Sequence, residues 1–159
     1  MTDFEEIYSK HSPKIYRVCM GYFNDPEQAK DITQETFISV WKNLASFRNQ
    51  SQISTWIFRI ATNNCLRALE KSKRVVTTEL PLNLPAIHEE TQEDKLAFLY
   101  QCINELEETE RIIISLVLED LPQAEIAEII GLTPGNTRVK IHRIKEKLAI
   151  KFKSNGQFR

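Results

Sequence analysis

Glycine is scarce in this chain: four residues in 159, none within three positions of another. A loop that cradles phosphates needs several closely spaced glycines, so that class of nucleotide site is excluded. The three cysteines, Cys19, Cys65 and Cys102, have no CxxC spacing. They read as reduced thiols packed as small apolar residues. His11, His88 and His142 are equally scattered, so no metal site is expected. No apolar run approaches the ~20 residues of a membrane span. The first ten residues, MTDFEEIYSK, are acidic and lack the apolar core of a secretory signal. The expectation is a cytoplasmic protein with no membrane insertion and no cofactor. Asp31 and Glu35 share one helical face at i, i+4, but no nucleophile–base motif accompanies that carboxylate pair, so an enzyme is not expected.

What is present is an ordinary folded composition, 42% hydrophobic and 27% charged, with the charge unevenly placed. Residues 1–74 carry a net +3, residues 75–130 a net −11 and residues 131–159 a net +7. Fields are screened within ~8–10 Å at ordinary salt, so local basic surfaces decide attraction to phosphates, whatever the total of −1.

Helical periodicity dominates. Phe4, Ile7, Tyr8 and His11 share one face; Ser12-Pro13 then reads as a stop and restart, because Ser caps and Pro fits a first turn. Ile15, Tyr16, Val18, Cys19, Tyr22 and Phe23 supply a wide apolar face, and Asp25-Pro26 starts the next helix. Ala29, Ile32, Thr33, Thr36, Phe37, Val40, Trp41 and Leu44 form a stripe at three- and four-residue steps. Residues 45–52 read as a polar loop. A helix beginning near Ser54 sends Trp56, Arg59, Asn63, Arg67, Lys71 and Arg74 to one side and Ile57, Ile60, Ala61, Leu66 and Leu69 to the other. Cations that track phosphates beside an indole that stacks on a base suit a single nucleic-acid strand. A solvated face with a half-buried Trp would read the same way.

Residues 75–91 hold Pro81 and Pro85 and no apolar period, which predicts a flexible interdomain linker. From Gln92 the helical pattern returns with Leu96, Leu99, Tyr100, Ile103 and Leu106. It continues through an acidic entry into an apolar helix over residues 112–118. Ala127, Gly131 and Thr133-Pro134, followed by a basic helix, form a helix-turn-helix pattern. The expected fold is therefore all-α: two small helical domains, 1–74 and 92–159, joined by the 75–91 linker, the second holding the helix-turn-helix.

Two stretches carry a family resemblance. Asp31-Ile32, Gln34-Glu35-Thr36-Phe37-Ile38 and Val40-Trp41, then Phe47-Arg48, then Ser54-Thr55-Trp56-Ile57-Phe58-Arg59-Ile60-Ala61 with Asn63, resemble region two of bacterial sigma factors, above all the extracytoplasmic-function group. Residues 105–148 resemble region four. The resemblance implies that Asp31, Gln34, Glu35, Ile38 and Trp41 dock on the beta-prime clamp of core RNA polymerase. For Trp41, a core position is an equal reading of the spacing. It implies that Phe47, Arg48, Ser54, Thr55, Trp56, Arg59, Asn63 and Arg67 capture the minus-ten promoter element. It places Pro134, Gly135, Asn136, Arg138, Val139, Lys140, His142 and Arg143 in the major groove of the minus-thirty-five element, where Arg or Lys suits guanine and Asn suits adenine. It also implies contact with the beta flap and an anti-sigma partner. Asn136-Thr137 stands where the family usually has Thr-Val. The rival reading is a helix-turn-helix regulator acting without polymerase, which leaves residues 31–74 unexplained.

Overall fold

The structure, a computed structural model, describes residues 3–73 and 92–154. Those residues form seven α-helices and one 3-10 turn, and no strand. The expected linker, 75–91, lies outside them, as does Arg74.

Helix α1 spans Phe4–Phe23, with Asp3 accepting from the Glu5 amide at its start. The expected restart at Ser12-Pro13 does not occur; Pro13 sits inside one continuous helix. Its missing N–H leaves the Ser9 carbonyl without an intrahelical partner, but Ser9 is exposed and water can satisfy it. The buried stripe of Ile7, His11, Ile15, Val18, Cys19 and Tyr22 runs through Pro13 unbroken and holds the two halves of the helix in line. Asn24 turns the chain with φ of 52°. Asp25 then caps α2, Pro26–Asn43, by accepting from the Glu27 and Gln28 amides at 3.0 and 3.4 Å. Helix α2 buries Ala29, Ile32, Thr33, Thr36, Phe37 and Val40. The Thr33 and Thr36 hydroxyls donate to the carbonyls of Ala29 and Ile32, so neither is left unpaired. After the 3-10 turn Leu44–Ser46, helix α3, Ile53–Lys73, buries Ile57, Phe58, Ala61 and Cys65 against α1 and α2.

The second half comprises α4 (Gln92–Asn104), α5 (Glu108–Leu118), α6 (Gln123–Ile130) and α7 (Pro134–Ser154). Gly131, at φ of 82°, ends α6, and the amides of Gly131 and Leu132 both reach the Ala127 carbonyl. Thr133 caps α7 by accepting from the Asn136 amide, with Pro134 first in the helix. Ile103, Ile112, Ile113, Leu116, Ile126 and Ile144 fill the centre. This is the helix-turn-helix the sequence spells out.

The two halves also pack on each other. Helix α1 lies along α5, and α3 meets α6. Arg17 makes two bonds to the Glu119 carboxylate at 2.6 and 2.8 Å, and the Arg111 guanidinium sits 4.8 Å above the buried Tyr22 ring. Nothing in the periodicity of either half announces this seam.

Candidate nucleic-acid interface

Helix α2 buries one side and offers the other. Asp31, Gln34, Glu35, Ile38 and Trp41 are all exposed. Trp41 is 64% accessible and Ile38 53%, so Trp41 leaves the apolar stripe in which its spacing placed it and is not a core residue. Its ring meets Phe4 edge-on at 5.2 Å, and Tyr8 meets Phe37 at 5.0 Å. Phe4, Tyr8, Gln34, Phe37, Ile38 and Trp41 together line a shallow apolar hollow. Phe4 and Tyr8 were not among the expected docking residues. Their face was legible in the period of α1, but which of its members turn outward depends on how α1 crosses α2.

A second hollow, about 360 Å³, opens between the end of α2 and the outer face of α3. Phe47 and Trp56 stack with ring centres 4.8 Å apart and planes tilted by 30°. Asn63 and Arg67 close one side, and Ser39, Asn43 and Ser46 the other. Arg67 is steadied by the buried Asn64, whose side-chain oxygen accepts from its guanidinium at 2.7 Å. Trp56 is half-buried, with one flank on the core and one on Phe47. Such a cleft has a stacking platform, amide and hydroxyl groups and a fixed cation, and its volume sits at the low end of the ~300–1,000 Å³ typical of small-ligand pockets. It suits one planar group beside a phosphate.

The eight expected strand-capturing residues do not lie together. Phe47, Trp56, Asn63 and Arg67 line this cleft, and Arg48 is exposed. Ser54, Thr55 and Arg59 lie under α6 instead. The Ser54 and Thr55 hydroxyls donate to the Glu125 carboxylate at 3.3 and 3.0 Å. Arg59 donates to the Glu128 carbonyl at 3.3 Å, with the Glu128 carboxylate 3.6 Å away. Thr55 is buried.

On α7, Pro134, Gly135, Asn136, Arg138, Val139, Lys140, His142 and Arg143 are all exposed, while Ile141, Ile144 and Leu148 anchor the opposite side. Thr137 is fully buried, and its hydroxyl donates to the Thr133 carbonyl at 2.9 Å. The hydroxyl in place of a methyl is therefore satisfied inside the helix and leaves the exposed face unchanged. His142 pairs with Glu146 at 3.0 Å. Lys147 is exposed, and its ammonium bonds the Glu110 carboxylate at 2.8 Å. Burial alone would raise the Glu110 carboxyl, but the bonds from Lys147 and the Glu107 amide, with the charges of Lys147 and Lys140, hold it below its ordinary value.

An exposed apolar hollow, a stacked-ring cleft beside a cation, and the exposed basic helix of a helix-turn-helix make a helical protein whose separate surfaces suit a protein partner and DNA. Comparison with known proteins agrees. The family described as Sigma-70 region 2 matches residues 7–75, and that described as Sigma-70, region 4 matches residues 99–148. The ECF RNA polymerase sigma factor SigW of Bacillus subtilis (strain 168) is 31% identical, over 91% of this chain and 86% of its own. RNA polymerase sigma factor YlaC of the same organism is 25% identical, over 91% and 88%. Among solved structures, the sigma factor RpoE in complex with the anti-sigma factor NepR from Bartonella quintana superposes with a TM-score of 0.78. That match is 21% identical and covers 96% of this chain and 98% of that one. The chain belongs to the extracytoplasmic-function group of the sigma-70 family.

Proposed function

We propose that this chain binds core RNA polymerase and directs it to a subset of promoters, where it initiates transcription. The observation that carries this reading is the coexistence, in one chain, of the Phe47–Trp56 cleft with an exposed recognition helix. A duplex reader alone needs only the helix; a cleft sized for an unstacked base has work only where a strand leaves the duplex. Residues 1–74 then dock on the beta-prime clamp through Asp31, Gln34, Glu35, Ile38 and Trp41 and take the minus-ten element. Residues 92–159 read the minus-thirty-five element through α7 and meet the beta flap. Residues 75–91 connect them.

Opening the strand needs no covalent step from this chain. Unstacking a base costs a few kcal/mol, and stacking on an aromatic side chain returns ~1–3 kcal/mol per base. Polymerase forms the phosphodiester bond, so the chain acts as an initiation factor and not as an enzyme, in the cytoplasm where polymerase works. An anti-sigma partner belongs to the proposal as well, on the likeness to RpoE, which is held in its structure by the anti-sigma factor NepR. Co-purification with core polymerase tests the reading. Retention of polymerase by the full chain, lost on Trp41→Ala, supports it. DNA binding with no affinity for polymerase would favour a regulator acting alone.

A further inference from the structure

The buried side of α7 fixes what its outer side presents. Thr137, Ile141, Ile144 and Leu148 form the stripe that anchors the helix. At about 100° per residue, the line opposite that stripe passes within roughly 10° of Val139. Val139 is therefore the outermost residue of the recognition face, and it is 47% accessible. Arg138 and Lys140 stand about 100° to either side of it, and both are exposed. Asn136 and Arg143, also exposed, lie between Val139 and Lys140 around the helix. A helix laid into a major groove with Val139 at the floor points Arg138 and Lys140 at the two phosphate walls.

Folding does not account for this arrangement. Val is a weaker helix former than Lys, Arg or Ala, and Val139 belongs to neither the core nor the layer packed on it. Gly135, one turn earlier on the same face, is weaker still. It has no positive φ, and a Cβ added there would meet nothing within 4 Å. Nothing inside the protein needs a glycine at this position. The missing side chain leaves a gap beside Val139 through which another surface can come close to the helix backbone. Two turns beyond Val139, Glu146 pairs with His142 and puts a carboxylate on the same face. A phosphate is repelled there, so the DNA-facing stretch ends at that turn.

In the major groove, the apolar feature of a base edge is the 5-methyl group of thymine. An aliphatic side chain has no hydrogen bond to give, so it tells bases apart by that methyl. We propose that Val139 takes the 5-methyl of a thymine at the centre of the contacted element, with Gly135 leaving room for the base edge to reach it. Asn136 and Arg143, on one side of it, read the neighbouring pairs by hydrogen bonds. This rests on the reading of α7 as the duplex-reading helix under Proposed function.

The test uses the full chain and duplex DNA, without polymerase. The chain selects a twenty-base-pair duplex from a randomised pool. Each thymine of the selected duplex is then replaced in turn by deoxyuridine, which deletes the methyl and keeps every hydrogen bond. One replacement should weaken binding about fourfold, the worth of one buried methyl. Val139→Ser should bind the thymine duplex about fourfold more weakly and be indifferent to uracil at that position. Gly135→Ala should hold or raise the melting temperature and still bind the selected duplex several-fold more weakly. Equal affinity for thymine and uracil at every position overturns the proposal, as does a pool with no common sequence, or a uracil penalty that survives in Val139→Ser. Full affinity in Gly135→Ala overturns the part given to the gap. If Val139→Ser loses helix by circular dichroism, the uracil series on the unaltered chain decides alone. A chain that reads the methyl yet retains no polymerase counts against the proposed function. One that directs initiation with no uracil penalty counts against Val139 alone.

Discussion

Trp41 and Trp56 are the same residue type at similar helical spacing, yet the structure gives them different surroundings. Trp41 stands out from the surface over Phe4, so Trp41→Ala should change stability by ~0.5 kcal/mol or little more, as for an exposed site. Polymerase binding should fall sharply; a melt alongside a polymerase pull-down checks both. Trp56 has one flank in the core, so Trp56→Ala should lower stability by less than the ~3–5 kcal/mol of a fully buried aromatic. The folded variant should bind polymerase normally and open duplex promoters poorly, with rescue on a pre-melted template. Permanganate reactivity of promoter thymines reads this directly, and normal opening by a folded variant would remove Trp56 from strand capture. At Thr137 the expectation runs the other way. Its hydroxyl is bonded within α7, and its own amide also reaches the Thr133 carbonyl, so Thr137→Val orphans no group. The melting temperature should hold or rise, with promoter preference unchanged; a loss of more than ~1.5 kcal/mol would show that the hydroxyl does more.

Helix α7 divides in two along its length. The outer face of its first half is exposed, while Lys147 and Lys151 are tied to Glu110 and Glu105. Replacing Lys140 or Arg143 by Ala should make the salt slope of promoter binding shallower by roughly one unit for each phosphate left without its cation. Lys147→Met should leave the slope unchanged and alter acid stability instead. The Glu110 carboxyl is depressed when folded, so its contribution is present above the ordinary carboxylate value and lost as pH falls through the lowered one. Between about pH 6 and about pH 3 the wild type should therefore lose more melting temperature than Lys147→Met. Element by element, much was legible in the sequence. The stripes of α2 and α3 and the Gly131, Thr133 and Pro134 punctuation are local signals, and local signals survive folding. Pro13 misled because a tertiary stripe outweighed one missing hydrogen bond. Phe4 and Tyr8 stayed hidden because outward or inward facing within one apolar face is set by the partner helix.

At the scale of the whole molecule, the sequence is least informative. The −11 charge of residues 75–130 reads as a solvated acidic stretch, yet Glu119, Glu125 and Glu128 turn theirs toward cations and hydroxyls of the first half. Contacts between residues about 70 to 100 positions apart leave no periodic trace. Gly21, which lies against Ser115 of α5, could have hinted at one, as a glycine inside a helix with no turn to make. The arrangement that results leaves exposed both the α2 face proposed to meet polymerase and the α7 face proposed to read duplex DNA, as the proposed function requires. The measurement that bears on this most directly is run-off transcription from fragmented genomic DNA, with core polymerase, with the chain, and with both. Discrete transcripts with common upstream elements should appear only when both are present, and should vanish with Trp41→Ala. Transcripts independent of the chain, or promoter occupancy by the chain alone with no initiation, would contradict it.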